Sequence, residues 1–513
     1  MHAANPPIIP TPRTATAGRG HFRLHRPLSI TFDQTGDLAA DAWTLLRPIL
    51  ARAATSLTGG IDAGELRFEP WELEDTTSPG GYELEVGEDR IVLRAADRHG
   101  FLHGIQSLRQ LLPPACEKPD GRAGAGDAIR AVHIVDAPRF AWRGLHVDVA
   151  RHYFDPRDLE RLIDAMALHK FNRLHWHLTD DQGWRLEIDG WPRLTEVGAK
   201  RAESPRRGAR DQGDGTPYEG HYTQDEARRL VAYAHARGID VIPEIEMPGH
   251  AQAALAAYPE LGHGPPPEVW TRWGISERIY NVEDETLAFL EEVLAQVARI
   301  FPSPYVHLGG DEVPTTEWEQ SKQAQMRMAA EGLESPKALQ GWFLRRMAAV
   351  LDRLGKRAVA WDEVLECGAP TDAIVMTWRD AAFAWQAAAR GHDVVVCPMS
   401  HCYFDHYQGP PESEPEAIGG LTELRKVLAF EPLQGTWSEA EEARVLGVQG
   451  NLWSEYIHDP AHLEYMAWPR ASALAEIAWS PRGPRDPAEF EERWAHVAKR
   501  LRAMDVFFRS LHA

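Results

Sequence analysis

The chain has 513 residues, of which 43% are hydrophobic and 26% charged, a composition typical of a soluble globular protein. Its 76 acidic residues outnumber 55 basic ones, and the formal net charge of -21 argues against nucleic acid and anionic membrane surfaces as partners. No apolar run reaches the roughly 18 residues of a membrane span, and the four cysteines lack the CxxC spacing of a zinc site.

The first 135 residues predict a small α+β domain with a structural role. Residues 1–20 form an irregular lead-in without the apolar core of a signal peptide. We therefore expect a soluble protein, either cytoplasmic or exported with its signal removed. Alternating and helical hydrophobic periodicity predicts a strand at 22–32, helices at 37–55 and 99–112, and a hairpin of strands 82–86 and 90–94.

Residues 136–513 alternate between strand-like and helix-like segments, which predicts a catalytic (β/α)8 barrel, a TIM barrel, with a C-terminal helix. Helix starts are marked by Asp155 before Pro156 and by the capping-box pair Thr223 and Glu226. A doubly wound open sheet is the alternative, but no GxGxxG follows the first strand. The predicted strands are 144–150, 173–179, 240–246, 305–308, 358–361, 373–378, 393–398 and 448–453.

The stretch 305–314, YVHLGGDEVP, places two adjacent acids, Asp311 and Glu312, after a short strand and two glycines. Parallel barrels present their catalytic groups at such strand ends. Neighbouring residues on a strand face opposite ways, so we expect the two carboxylates to do different jobs. The alternative is a simple strand end at which Asp311 starts a helix.

Polar and aromatic residues follow nearly every other predicted strand. One face of the barrel should therefore be acidic and aromatic, which suits a neutral, polyhydroxylated ligand. These residues are Arg151; His175, His177 and Asp180; Glu244, Glu246 and His250; Trp361; Trp378; Tyr403 and Asp405; and Trp453 and Glu455.

Three classes of function compete for this face. A metal-dependent hydrolase would use His175-x-His177, with His250 and His307 as further ligands. A binding protein without catalysis would explain the tryptophans but has no need of adjacent acids. A glycosidase explains the whole set.

Several long motifs are similar to those of the family-twenty glycoside hydrolases, the β-N-acetylhexosaminidases. They are RGLHVDVARH, KFNRLHWHLTDDQGWRLEI, VIPEIEMPGHAQA, HLGGDEVP and NLWSE, and the similarity runs from about residue 142 to residue 479. The N-terminal segments YELEV, RIVLRA and GFLHGIQSLRQLL resemble the small α+β domain that precedes that family's barrel.

The resemblance implies an exo-acting, retaining enzyme that removes terminal N-acetylglucosamine or N-acetylgalactosamine. In this family the substrate's own acetamide is the nucleophile, and an oxazoline-type intermediate forms. Glu312 would protonate the leaving oxygen and later deprotonate water. Asp311 would accept the acetamide N–H, and Tyr403 would donate to the acetamide oxygen.

The resemblance assigns the remaining residues to binding and orientation. Trp361, Trp378 and Trp453 would wall the acetamide pocket and the sugar face. Arg151, Asp180 and Glu455 would bind the 3-, 4- and 6-hydroxyls, and Asp405 would be a polar support beside Tyr403. His250, Glu246 and His307 would orient the acids. No cofactor or metal is expected; the expected partners are N-acetylhexosaminide oligosaccharides or glycoconjugates, and the oligomeric state stays open.

Three local features stand apart from these assignments. Glu246 replaces the aspartate usual in the family, and its extra methylene shifts a carboxylate near His250. The polar loop 203–219 and the proline-rich 263–267 either border the leaving-group site or are solvated surface loops.

Overall fold

The computed structural model describes residues 6–71, 79–368, 370 and 372–511. It contains a mixed six-stranded sheet near the N-terminus and a closed barrel of eight parallel strands, so the predicted fold class is confirmed. Among the helices of the described part, none has both the length and the apolar run needed to cross a bilayer.

The N-terminal sheet packs against two amphipathic helices, Gly36–Ala53 and Arg98–Leu111, and shares one apolar core with them. Its long edge strand pairs antiparallel, whereas the opposite edge pairs parallel. In spatial order the strands are Thr14–Arg23, Ala128–Asp136, Tyr82–Val86, Arg90–Ala95, Gly64–Pro70 and Leu28–Phe32.

The prediction for the beginning of the chain was wrong in two places. The lead-in assigned to 1–20 contains most of the strand Thr14–Arg23, and the single strand expected at 22–32 is two strands. His25 has φ 57° and Pro27 has no N–H, so the chain turns between Arg23 and Leu28. The helices at 37–55 and 99–112 and the hairpin at 82–94 are confirmed to within two residues.

The barrel closes in chain order, with each strand parallel to its neighbours. Seven of its eight strands are fully buried in their last three positions, as expected where helices cover the outside and side-chain layers fill the inside. Barrel strands 1 to 8 are Trp142–Asp148, Arg173–His177, Asp240–Glu244, Tyr305–His307, Arg357–Trp361, Ile374–Thr377, Val394–Val396 and Val445–Leu452.

The barrel helices begin at the capping signals seen in the sequence. Asp155 and Ser335 each accept a backbone N–H of the following helix, and Thr223 and Glu226 form a complete capping box. The longer helices are Pro156–Leu168, Gln224–Ala236, Asp284–Ile300, Lys322–Glu331, Pro336–Arg353, Ala381–Ala389, Pro460–Ala467, Arg470–Trp479 and Pro487–Ala503.

Shorter elements decorate the loops. The helical turns are Arg193–Glu196, Gln252–Ala257, Thr316–Gln320, Val364–Cys367, Met399–Cys402, Leu424–Leu428 and Glu439–Glu442, with 3₁₀ turns at Pro114–Glu117, Pro259–Leu261 and Pro411–Ser413. The short strands are Thr179–Asp180, Gly183–Trp184, Lys200–Arg201, Pro205–Arg206, Ala209–Gly213 and Tyr218–Glu219. All four cysteines are free and buried.

A buried polar cluster joins the N-terminal sheet to the barrel. The ammonium of Lys170, which is fully buried, lies 3.1 Å from Asp136 and 3.0 Å from the hydroxyl of Tyr82. The indole N–H of Trp479 also donates to Asp136, at 3.0 Å. A cation, a phenol and an indole therefore share one carboxylate between the two cores.

Candidate active site

A pocket of about 210 Å³ lies where the barrel strands end. Eleven of the thirteen predicted site residues line it, while Glu246 and His307 lie outside its lining. The predicted residues in the lining are Arg151, Asp180, His250, Asp311, Glu312, Trp361, Trp378, Tyr403, Asp405, Trp453 and Glu455. The eight separate strand ends thus converge on one cavity.

Asp311 and Glu312 reach the pocket from a turn beyond barrel strand 4. The strand stops at His307, and Gly309 and Gly310 adopt φ 66° and 86°. Glu312 itself has φ 48°, a left-handed conformation that costs a non-glycine residue free energy and is found disproportionately at functional sites.

The expectation that the two acids point opposite ways was wrong, because neither residue lies on the strand. Both approach the same imidazole: His250 Nε2 is 3.7 Å from Asp311 Oδ2 and 3.6 Å from Glu312 Oε2. The capping alternative was wrong as well, since the next helix begins only at Thr316.

His250 joins this pair to the second strand end. Its Nδ1 lies 3.1 Å from Asp180 and 3.3 Å from Asp181. Burial disfavours a charged imidazole, but these carboxylates outweigh burial and hold the pKa of His250 well above its ordinary value. His250 is therefore a cation that faces the two acids.

Arg151 and Asp180 form a buried ion pair at the opposite wall. A guanidinium nitrogen lies 2.9 Å from Asp180, and Arg151 Nε donates to Gln182 at 2.8 Å. Although burial opposes ionisation, Arg151 lowers the pKa of Asp180 well below its usual range. Glu455 lies 3.8 Å from the same guanidinium, which makes this wall suitable for binding hydroxyl groups.

Among the described residues that line the pocket, three carboxyl oxygens are buried without a hydrogen bond. They are Asp311 Oδ1, Asp405 Oδ1 and Glu455 Oε2. Burial raises the pKa of Asp405 well above its ordinary value and raises that of Glu455. Buried polar atoms of this kind need a ligand or an ordered water as partner.

Aromatic side chains form the rest of the wall. The rings of Trp378 and Tyr403 are 6.2 Å apart at an interplanar angle of 27°, and Trp361 and Trp453 are 6.0 Å apart. Burial raises the pKa of Tyr403 well above its ordinary value, so its phenol is a proton donor at neutral pH. Asp311 completes this side; burial raises its pKa to about 6.

Several residues in the pocket or beside it were missed from the sequence. Glu363 accepts the indole N–H of Trp378 at 3.1 Å, and burial with neighbouring Asp311 raises the pKa of Glu363 to about 8. Asp362 accepts the backbone N–H of Trp378 at 3.0 Å. Both follow Trp361 directly, so the strand-end rule that selected Trp361 covers them too. Of the residues that line the pocket, the sequence missed Met399, His406 and Ile418.

The two loops considered for the leaving-group site contribute no residue to the described lining. The hairpin of Pro205–Arg206 and Ala209–Gly213 instead contacts the segment before Ile418, where Arg210 donates to the carbonyl of Ile418 at 3.0 Å. Residues 264–266 are exposed.

In the part of the chain that the structure describes, four groups of histidine and carboxylate side chains have ligand atoms within 4.8 Å of one another, close enough to hold a metal ion. Two of these groups are buried beneath the pocket and share Glu244. One consists of His146, His177 and Glu244, and the other of His175, His307 and Glu244. The others are Asp180 with Asp181 and His250, and His250 with Asp311 and Glu312. The His175-x-His177 pair of the metal hypothesis thus lies below the pocket and outside its lining.

Adjacent acids, a hydroxyl-binding wall and several indoles at the strand ends of a (β/α)8 barrel define a carbohydrate-processing site of the glycoside hydrolase class. Residues 140–482 match the family model described as "Glycosyl hydrolase family 20, catalytic domain", and residues 5–137 match its "domain 2". The chain belongs to glycosyl hydrolase family 20.

Individual relatives agree with this assignment. A "Beta-hexosaminidase" of Porphyromonas gingivalis is 39% identical over 96% of this chain, and the match spans 63% of the relative's length. The "Beta-hexosaminidase" of Akkermansia muciniphila is 37% identical over 82% of this chain and 83% of its own. The GH20 β-N-acetylhexosaminidase of Streptomyces coelicolor superposes with a TM-score of 0.83 at 31% identity, covering 100% of this chain and 99% of that one.

Proposed function

We propose that the chain is an exo-acting, retaining β-N-acetylhexosaminidase. Its substrates are terminal, non-reducing N-acetylglucosamine or N-acetylgalactosamine residues of oligosaccharides or glycoconjugates. The observation that carries this proposal is the convergence of Asp311, Glu312 and Tyr403 on one aromatic pocket, with both acids near His250.

The size and chemistry of the pocket support a single terminal sugar. A cavity of about 210 Å³ is smaller than the roughly 300–1,000 Å³ of most small-molecule pockets. Arg151, Asp180 and Glu455 supply donors and acceptors for hydroxyl groups, and Trp453 supplies a flat apolar face. A Vibrio harveyi GH20 "Exo beta-N-Acetylglucosaminidase" with N-acetylglucosamine superposes with a TM-score of 0.86 at 31% identity, covering 99% of this chain and 78% of that one.

The first step is attack on the anomeric carbon by the substrate's own acetamide oxygen. As that bond forms, the bond to the leaving oxygen breaks, and Glu312 donates its proton to that oxygen. The product is an oxazolinium ring, which Asp311 stabilises by accepting the amide N–H. Tyr403 donates to the acetamide oxygen and orients it, so the nucleophile is already in place and the step is effectively unimolecular.

The second step is attack by water on the same carbon. Glu312 now removes a proton from that water, the carbon–oxygen bond of the ring breaks, and the acetamide is restored. Two inversions at one carbon give net retention. No carboxylate is required as a nucleophile, because the acetamide serves as one. Asp311 and Glu312, which both contact His250, have other roles.

The decisive experiment compares a chromogenic β-N-acetylglucosaminide with the matching plain β-glucoside. Turnover of the N-acetyl substrate alone is expected, because the glucoside lacks the nucleophile. Equal turnover of both would exclude substrate assistance, and binding of N-acetylglucosamine without turnover would indicate a binding protein. Proton NMR of the first product formed should show the β-anomer.

A chelator tests the metal-dependent alternative. We expect activity after dialysis against EDTA to equal that of the untreated protein, since the proposed steps use only Asp311, Glu312, Tyr403 and the substrate. Loss of activity that zinc restores would instead point to the histidine and carboxylate groups around Glu244 and His250.

A further inference from the structure

Glu244 is the last residue of barrel strand 3 and lies beneath the pocket without lining it. It pairs in parallel register with His177 on one side and with His307 on the other. Residues in register on neighbouring parallel strands point to the same side of the sheet, so these three side chains form one layer inside the barrel. All three are fully buried.

One oxygen of Glu244 holds a wall of the pocket. Oε1 accepts the indole N–H of Trp361 at 2.8 Å and lies 2.8 Å from His307 Nδ1. Trp361 is itself almost fully buried, yet it lines the cavity. The orientation of its indole plane therefore depends on this carboxylate.

The other oxygen connects to the hydroxyl-binding wall. Oε2 lies 2.5 Å from His177 Nδ1, and His177 Nε2 lies 2.8 Å from Asp180 Oδ2. Both ring nitrogens of His177 thus face carboxylates. Burial alone would lower the pKa of His177, but Glu244 and Asp180 outweigh it and raise that pKa to about 10.

His175 completes the surroundings of Glu244. Its Nδ1 accepts the side-chain N–H of Gln449 at 3.0 Å, which places the ring proton on Nε2, 3.0 Å from Glu244 Oε2. Burial lowers the pKa of His175 to about 4, so this ring is neutral. Glu244 is consequently surrounded by nitrogen groups, and His177 is a cation.

We propose that Glu244 is a positioning residue that orients Trp361 and, through His177, Asp180 at the same time. The inference rests on the proposed function, because it takes Trp361 and Asp180 as substrate-binding groups. One buried carboxylate would then orient residues on both the acetamide side and the hydroxyl-binding wall of the pocket.

The test is the Glu244→Gln variant, in which the side chain keeps its shape but loses one of its two hydrogen-bond acceptor oxygens. The amide has one oxygen and one NH₂, so either Trp361 or His177 must face a donor in place of an acceptor. We expect kcat/KM for an aryl β-N-acetylglucosaminide to fall about 100-fold with a raised KM, as displacements of about 1 Å in a positioned site produce.

A change of specificity distinguishes positioning from a loss of stability. With Asp180 displaced, rejection of the 3-deoxy and 4-deoxy analogues should weaken by about tenfold relative to the wild type. Glu117→Gln is the matched control: Glu117 is equally buried and paired, with Arg109 and Arg500, but away from the pocket. It should lower the melting temperature and leave KM and deoxy-sugar rejection unchanged.

A double variant tests the route through His177. His177→Gln alone should also raise KM and weaken deoxy-sugar rejection. In the variant with both Glu244→Gln and His177→Gln, the losses should be clearly less than additive because the two residues act on one target. If Glu244→Gln does not accumulate as folded protein, His177→Gln carries the test.

The outcomes separate this inference from the function itself. A wild type that ignores the acetamide group overturns the proposed function. A wild type that requires the acetamide, with Glu244→Gln or His177→Gln of unchanged KM and unchanged deoxy-sugar rejection, overturns only the positioning role. Additive losses in the double variant overturn it as well.

Discussion

Asp311 and Glu312 are neighbours in sequence, but the structure surrounds them differently. The side chain of Glu312 is 36% exposed, whereas that of Asp311 is 12% exposed and has one oxygen without a partner. An exposed carboxyl can exchange protons with a leaving group and with water. A buried one can hold a fixed contact with an amide. The proposed division of tasks therefore rests on the difference in burial, since both residues lie beyond the strand.

The first residue-scale prediction concerns the pH profile. Burial raises the pKa of Asp311 to about 6, and in the proposed mechanism its carboxylate is ionised to offset the charge of the oxazolinium. The kcat/KM of the free enzyme should therefore fall as pH drops through about 6. Asp311→Asn should lose about 10²–10³-fold in kcat, and its residual activity should lack this acid limb. If Asp311→Asn kept the same fall in kcat/KM at acid pH, that fall would come from the ionisation of another group.

The second residue-scale prediction concerns Glu312 as the proposed proton donor. Glu312→Gln removes the general acid, which typically contributes about 10²–10⁴-fold to rate. The loss should be smallest for a dinitrophenyl leaving group and largest for an alkyl one, as steady-state kinetics on a substrate series would show. Glu319 is an exposed acid seven residues further along the chain. Glu319→Gln is the control and should change neither the rate nor its dependence on the leaving group. Equal losses across the series would contradict the assignment.

At the scale of elements, the turn after barrel strand 4 decides where the acids lie. Gly309 adopts φ 66°, and a Cβ there would stand 1.7 Å from Glu246 Oε2. Neither oxygen of Glu246 has a hydrogen-bond partner, and burial and nearby Asp311 raise its pKa well above the ordinary value. Glu246 thus packs directly against the turn that carries Asp311 and Glu312.

We therefore expect Gly309→Ala to impair folding and activity together. The left-handed backbone costs about 1–3 kcal/mol for a residue with a side chain, and the contact with Glu246 adds to that cost. Gly332 is a matched control, because it also has φ 66° but no atom within 4 Å of its added Cβ. Gly332→Ala should lower stability in urea unfolding without affecting kcat. Equal effects of both variants would show that the contact with Glu246 is unimportant.

At the scale of the molecule, the buried cluster around Asp136 ties the N-terminal sheet to the barrel. Lys170→Met removes the positive charge beside Asp136, which also accepts hydrogen bonds from Tyr82 and Trp479. Removing one partner of a buried pair typically costs about 3–5 kcal/mol, because the other charge remains buried. The free energy of unfolding should fall accordingly, while the folded fraction keeps its kcat.

An exposed lysine, Lys200, provides the control for the loss of stability expected in Lys170→Met. Lys200 lies 3.2 Å from Glu219 with both side chains more than half exposed, so Lys200→Met should cost less than about 1 kcal/mol. Adding Asp136→Asn to Lys170→Met should recover part of the loss by removing the unpaired charge. No recovery would mean that shape, rather than charge, holds the two cores together.

The sequence by itself determined the fold class, seven of the eight barrel strands to within two residues at each end, and eleven of the fourteen residues that line the pocket. Hydrophobic runs, capping residues and strand-end motifs are local signals, and each can be detected within a few residues. The last barrel strand begins three residues earlier than predicted, and the first strand of the chain was missed, because their positions depend on neighbouring strands.

Only the tertiary structure decided how the side chains converge. Asp311 and Glu312 meet at His250, and Glu244 joins Trp361 to Asp180 through His177, although these residues are far apart along the chain. Burial and the distances between charges set their protonation, and both are properties of the folded barrel. The residue types can be found in the sequence, but their contacts exist only once eight strands close on one another.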